Sequence, residues 1–368
     1  MRRSTRRTLL TAPLAAFSVF GQRVAKATKP TLPLDKPNIE RRRYADPTTE
    51  NEVFRLTDPA HSSRLPSLSG HCAAKNNSLL FCSDRSGRAQ VHRLDLKSGD
   101  IRQLTECAAL EPSSIAFLPD ERSFLFLDGQ TLKRSGGGDR DLYQTPNVFE
   151  PGIAITDDGL SAFVTERAGD RWRIVQVPVL AKAEPRTIVE SDQPVTRLKP
   201  RPRRASLLYT RAEALHLVTF EGQTRLLKTE GRVKEVEWQP DGRTAIYLSH
   251  SAAERPVASL REIEPDLNSD RHFCRTSQFA QFARNADGSV FAGLSASLAS
   301  PLVLLLLRVT RREFPLCEHR SQAPTAPPVF TPNSQRVLFE GDHDGKPAIY
   351  MVALEKLVER TEESENRP

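Results

Sequence analysis

The chain has 368 residues, with 53 Lys or Arg against 46 Asp or Glu and a formal net charge of +7. Six of the basic residues (Arg2, Arg3, Arg6, Arg7, Arg23 and Lys26) fall in the first 27 positions, which hold no acid, leaving 47 basic against 46 acidic side chains beyond them. A surface built to neutralise phosphates would keep a basic surplus there, so nucleic acid is not expected as a partner.

The first element in chain order is an export pattern. Thr5-Arg6-Arg7-Thr8-Leu9-Leu10 is followed by an apolar run from Leu9 to Phe20 and by the small-x-small site Ala25-Lys26-Ala27. A basic start, a short apolar stretch and such a site predict a twin-arginine signal peptide over 1–27. The apolar run is shorter than the roughly 20 residues that span a bilayer. The expectation is therefore a periplasmic or secreted protein with no membrane span after signal removal. Residues 28–50 read as a flexible linker, 51–355 as the folded domain and 356–368 as a charged tail. The basic clusters Arg41-Arg42-Arg43 and Arg201-Pro202-Arg203-Arg204 read as solvated loops.

Within 51–355 one pattern recurs: an apolar residue, a polar turn and a short apolar strand. Its clearest copies are Phe117-Leu118-Pro119-Asp120 before Phe124-Leu125-Phe126, and Ile155-Thr156-Asp157-Asp158-Gly159 before Ala162-Phe163-Val164. Trp238-Gln239-Pro240-Asp241-Gly242 before Ala245-Ile246-Tyr247 and Phe330-Thr331-Pro332-Asn333 before Val337-Leu338-Phe339 repeat it. Weaker copies begin at Lys75, Lys199 and Asn285. The seven turns sit near 76, 120, 158, 201, 241, 287 and 333, a spacing of 38 to 46 residues that matches the period of propeller blades. Pro-Asp and Asp-Gly turns suit tight reversals between antiparallel strands. The prediction is an all-β, seven-bladed β-propeller. The segment Glu52 to Asp58 looks like an outermost strand with no inner strands before it, and pairing it with Ala348 to Leu354 would complete the C-terminal blade and close the ring.

Two further features read as ordinary core. Cys72, Cys82, Cys107, Cys274 and Cys317 are odd in number and lack C-x-x-C spacing, so buried free thiols are expected rather than a disulfide framework or a zinc site. Leu302 to Leu307 is too short to span a membrane and reads as a buried strand.

The catalytic signatures G-x-S-x-G, H-E-x-x-H, the Walker loop and G-x-G-x-x-G are absent from the sequence. Chemistry would then reside in the ring itself, where inner strands and their loops converge. His61, His71, His319, Gln281 and Gln322 are the polar residues best placed for it. His92, His216, His250 and His343 fall in strands or connecting turns and are given no role. No two histidines have chelating spacing, so the residues alone make no case for a metal.

The last third carries a resemblance. Asn285-Ala286-Asp287-Gly288-Ser289-Val290, Leu316-Cys317-Glu318-His319, Phe330-Thr331-Pro332-Asn333 and Gly345-Lys346-Pro347-Ala348-Ile349-Tyr350 resemble the oligogalacturonate lyases, propellers that cleave pectin fragments by β-elimination. The first blade, from Arg55-Leu56-Thr57 to Leu104-Thr105, is similar to them and to TolB-type propellers generally. The resemblance implies a divalent metal, usually Mn2+, held by histidines and one glutamine, which would bind the uronate carboxylate and acidify the neighbouring C–H. Gln322 matches that glutamine, but Thr325 and Pro327 stand where two histidines should be, and Gln281 where another should be. The base position is occupied by Tyr209-Thr210-Arg211, without a histidine. Arg64 matches an arginine suited to a sugar carboxylate, and His319 is a second substrate-binding candidate.

Two expectations follow: a lyase-like protein acting on pectic oligogalacturonides through a rearranged site, or a non-catalytic TolB-like propeller that binds an oligosaccharide or a periplasmic protein. Missing ligands weigh against catalysis, because the fold alone confers no activity.

Overall fold

The computed structural model describes residues 40–354 apart from 67, 70, 181–182, 252–257, 277 and 323–325. Residues 1–39 and 355–368, and with them the expected signal peptide, most of the expected linker and the expected tail, lie outside the described residues, as does Thr325. The described residues form a seven-bladed β-propeller without helices.

Six blades follow the chain in order. Blade 1 is Ser63–Arg64, Ser78–Ser83, Gln90–Asp95 and Ile101–Gln103. Blade 2 is Leu110–Phe117, Phe124–Asp128, Thr131–Ser135 and Arg140–Gln144. In blade 3 the inner edge is split: Val148–Phe149 and Ala154–Ile155 both pair with Ser161–Ala168, which is followed by Arg171–Pro178 and Arg186–Ser191. Pro151 and Gly152 interrupt that edge, since proline cannot donate to a ladder. Blade 4 is Val195–Pro200, Ser206–Arg211, Ala214–Thr219 and Thr224–Leu226. Blade 5 is Arg232–Trp238, Ala245–His250, Ala258–Glu264 and Ser269–Arg275. Blade 6 is Phe279–Arg284, Val290–Ser295, Leu302–Leu307 and Glu313–Glu318.

Blade 7 joins the two ends of the folded chain. Val329–Phe330, Arg336–Gly341 and Ala348–Ala353 are continued by Glu52–Arg55 and then by Arg42–Ala45, giving five strands. Val53 faces Val352, Phe54 faces Met351 and Arg55 faces Tyr350. Arg42–Ala45, read from sequence as linker, is thus the outermost strand, and Glu52–Arg55 is the one inside it. Arg41 lies against the Phe54 ring, 4.6 Å from its centroid. The turn between these two strands is clasped to blade 6. Buried Asp46 accepts the backbone N–H groups of Thr48, Thr49 and Glu318 at 3.1, 3.0 and 2.9 Å, and Asn51 Nδ2 donates to Leu316 O at 2.8 Å.

The turns after the inner strands explain the repeat. Asp120 Oδ1 accepts the N–H groups of Arg122 and Ser123, both at 2.9 Å. Asn76, Asp158, Asp241, Asp287 and Asn333 each accept the N–H two residues on in the same way. Such side chains stabilise the reversal by replacing a backbone acceptor. Each turn also holds one residue at positive φ: Asn77, Glu121, Gly159, Arg203, Gly242, Gly288 and Ser334. Glycine is required by contact at Gly242, where a Cβ would lie 2.5 Å from Pro202 O of the preceding blade.

The core lies between blades rather than within them. Phe163 and Ile174 of blade 3 pack with Leu207, Tyr209 and Val218 of blade 4, and Leu208 and Leu217 of blade 4 pack with Val236, Trp238 and Tyr247 of blade 5. Because each sheet has a neighbour on both faces, successive residues of the second strands are all buried, as in Ser78–Ser83. Each large apolar side chain buried there contributes roughly 1.5–3 kcal/mol of transfer free energy. Leu302–Leu307 is the third strand of blade 6, and all five cysteines are buried and unpaired. No helix among the described residues is long and apolar enough to cross a membrane.

Candidate functional site

The inner strands surround a channel of about 380 Å3 whose wall takes residues from all seven blades. Charged groups enter it because inner strands meet neighbours only at their edges, where no second sheet can cover them. Lys199 at the end of the blade 4 inner strand pairs with Glu237 of blade 5 (Nζ–Oε1 2.6 Å). Trp238 Nε1 donates back to Lys199 O at 2.8 Å, and Arg284 of blade 6 donates through Nε to Trp238 O at 2.5 Å. Blades 4, 5 and 6 are laced together in sequence by these contacts. Burial opposes the Lys199 charge, but Glu237 and Glu235 outweigh it and hold the ammonium pKa above its usual value.

His71 faces the same channel, with Asp157, Lys199, Glu237 and Arg284 around it. Its ring makes no hydrogen bond among the described residues. His71 is exposed within the channel, and desolvation by the surrounding wall, largest among its causes, lowers its pKa below the ordinary imidazole value despite the pull of Glu237, leaving it mostly neutral at pH 7. Nearby, Glu235 is buried and its carboxyl is pushed up by desolvation, with Lys199 and then Arg197 opposing; Arg197 Nε lies 3.4 Å from it.

At the start of the inner strands, on the opposite face from these turns, the sequence-derived residues are distributed as follows. Arg64 is partly exposed, and its NH1 lies 3.7 Å from Glu340 Oε2. Glu340, in the second strand of blade 7, accepts the Leu65 N–H at 2.5 Å. Burial pushes this carboxyl up to about 7, with the Leu65 N–H and Arg64 pulling the other way. Gln281 is half-buried in the blade 6 inner strand opposite Leu294, whereas Gln322 is exposed and held by its backbone N–H on Asp342 Oδ1 at 3.1 Å. Pro327 lines the channel.

The other histidine candidates from the sequence, His319 and His61, lie outside the channel lining. His319 is buried; its Nε2 lies 2.9 Å from Ser295 O and its Nδ1 accepts the Ser321 N–H at 3.0 Å. Both ring nitrogens are therefore engaged by backbone, which fixes a neutral tautomer and leaves no donor for a sugar. His61 is exposed, 3.9 Å from Asp84. Among the described residues no group of three or more His, Cys, Asp or Glu could hold a metal ion.

Sequence reasoning missed the Lys199–Glu237–Arg284 lacing, because its members stand some forty residues apart in three separate repeats. Lys199 and Glu237 stand where blades 2 and 3 have Ala116 and Ala154, and Arg284 stands where blade 5 has Trp238; these charges in place of apolar side chains before the turns would have been the signal.

No family model matches the chain. It is 23% identical over 377 residues to the oligogalacturonide lyase of Pectobacterium atrosepticum, covering 84% of this chain and 95% of that one. With the oligogalacturonate lyase of Dickeya dadantii it shares 22% over 379 residues, at the same coverage. A solved oligogalacturonate lyase in complex with manganese superposes with a TM-score of 0.79 at 21% identity, over 89% of this chain and 98% of the other. The oligogalacturonate lyase of Vibrio parahaemolyticus gives 0.77 at 19%, over 88% and 98%. This chain is a seven-bladed β-propeller similar along most of its length to the oligogalacturonate lyases.

Proposed function

We propose that the protein is an exported propeller that binds pectic oligogalacturonides and has lost the manganese-assisted elimination of its relatives. The observation that carries this reading is the donor set. The positions that the resemblance gives to histidine ligands hold Gln281, Thr325 and Pro327. An amide oxygen is a weak neutral donor beside imidazole, and proline has no donor side chain at all. Gln322 matches the expected glutamine, yet it is exposed and stands without a histidine partner. These residues do not fit a divalent metal, so no step is derived through one. His71 is a neutral base in the channel, but it lies near the turns that end the inner strands, away from the strand starts where Arg64 stands.

Recognition of a uronate is supported by Arg64. Its side chain is 44% exposed and its guanidinium only loosely paired at 3.7 Å, so it keeps donors for a sugar carboxylate. Export is supported by the Arg6-Arg7 segment, and replacing both with lysine should retain the protein in the cytoplasm on cell fractionation.

The test is calorimetric titration with unsaturated and saturated di- and trigalacturonate, alongside chromatography of the same mixtures after incubation with manganese. Binding without product supports the proposal. Product formation that depends on manganese overturns the loss of catalysis. Neither binding nor product overturns saccharide recognition and turns attention to a protein-binding propeller.

A further inference from the structure

The basic cluster at the turn of blade 4 belongs to a built groove. Arg201, read from sequence as part of a solvated loop, has a side chain only 3% exposed. Its Nε donates to Gly242 O at 2.7 Å, and its two terminal nitrogens grip Asp266 at 2.7 and 2.8 Å. Its guanidinium also lies against Trp238, 5.0 Å from the ring centroid. Asp266 sits in the turn between the third and outer strands of blade 5, so this fork ties blade 4 to blade 5 and fixes the carboxylate in place.

Two more arginines are arrayed on that anchor. Arg204 NH1 donates to Asp266 Oδ2 at 3.0 Å, and Arg225, in the outer strand of blade 4, donates through NH2 to Pro265 O at 2.7 Å. Hydrogen bonding from Arg201, with the charges of Arg201, Arg204 and Arg225, holds the Asp266 carboxyl below its ordinary range. One carboxylate therefore faces three guanidinium groups, leaving a surplus of two positive charges. Arg204 and Arg225 are exposed, and among the described residues each uses one terminal nitrogen only, so their remaining N–H groups are open to a ligand.

The groove beside them is about 510 Å3 and is lined by Ser206, Thr219, Gln223 and Thr224 as well as the arginines. Strand pairing puts Ser206 opposite Thr219, and Leu217, two residues back on the same face, opposite Arg225, so two hydroxyls and one guanidinium share the groove face. A guanidinium fork recognises a carboxylate in bidentate fashion. Hydroxyl and amide groups at its side add donors and acceptors for the ring hydroxyls of a sugar.

We propose that this groove, between blades 4 and 5 and apart from the Arg64 mouth, is a second binding site for an acidic saccharide unit, with Arg204 and Arg225 holding its carboxylate. The identity of the saccharide rests on the function proposed above; the position of the site does not.

The test is calorimetric titration of trigalacturonate into the wild-type protein, an Arg204→Gln/Arg225→Gln variant, a Gln223→Glu variant and an Arg64→Gln variant, each checked by thermal unfolding. The expected result is binding that Arg204→Gln/Arg225→Gln and Gln223→Glu each weaken on the order of tenfold while Arg64→Gln leaves that component intact. Binding abolished by Arg64→Gln alone overturns the second site and leaves the proposed function standing. Binding that only the groove variants remove supports the second site and overturns the mouth. Sodium sulfate competing as well as galacturonate at equal ionic strength overturns the saccharide assignment, and no binding in the wild type overturns both. Gln223→Glu keeps the test decisive if the double variant fails to fold, since the Gln223 side chain is exposed and bears no ion pair.

Discussion

Glu340 of blade 7 accepts the backbone N–H of Leu65 in blade 1 at 2.5 Å, carrying a buried carboxyl across the join between the last blade and the first. Burial raises that carboxyl to about 7 in the folded protein from an unperturbed 4.5. A raised acid favours the folded state below its unfolded pKa, and the advantage is lost as pH rises through the folded pKa. Wild-type stability should thus fall between about pH 5 and pH 8, and Glu340→Gln, which keeps the acceptor for Leu65, should flatten that fall. At about pH 8 the variant should be the more stable, by on the order of 1–3 kcal/mol. Urea unfolding of both proteins across this range checks it; parallel curves would show that Glu340 does not titrate there.

The turn geometry predicts a second effect. Gly242 has φ +66° and a Cβ there would press on Pro202 O, whereas Gly169 has φ +62° with open space around it. Gly242→Ala should cost about 1–3 kcal/mol and Gly169→Ala distinctly less, near the bare cost of the left-handed conformation. Equal losses in urea unfolding would mean that inter-blade contact contributes nothing at this turn.

Asp46 holds three backbone N–H groups, two in its own turn and one in blade 6. Asp46→Ala should destabilise the protein by roughly 2–3 kcal/mol. It should also raise hydrogen exchange in Arg42–Ala45 and Glu313–Glu318 together. Faster exchange in the first strand alone would show that the clasp onto blade 6 is weak.

His319 should behave as a structural residue. With Ser295 O and the Ser321 N–H both left without a partner, His319→Ala is expected to lose about 2 kcal/mol or more of stability. Trigalacturonate affinity measured on the folded variant should be unchanged. A loss of affinity with intact stability would restore it as a sugar contact.

The blade repeat was legible because its turns are chemically explicit. Asp120, Asp158, Asp241 and Asp287 cap their own reversals, and the apolar strands that follow are buried on both faces. Blade 4 was faint in sequence because Arg201 occupies the acid's place and its turn is held instead through Gly242 and Asp266 of blade 5. Arg42–Ala45 was invisible: its side chains are mostly exposed and its strand character comes only from backbone pairing with Glu52–Arg55. The candidate sites were least legible of all. Arg204 and Arg225 gain their meaning from Asp266, 62 and 41 residues further on, and His319 looked available until its two backbone partners, one of them 24 residues away, were in place.

The composition of blade 7 bears on how the protein comes to exist. Its strands are drawn from residues near 42–55 and from 329–353. During synthesis six sheets can form while the ring still gapes, with Glu52–Arg55 presenting unpaired N–H and C=O groups. Only when Ala348–Ala353 leaves the ribosome is that edge covered. The native ring therefore cannot close before Ala348–Ala353 is made, and a chain halted short of that strand would present an open, adhesive arc.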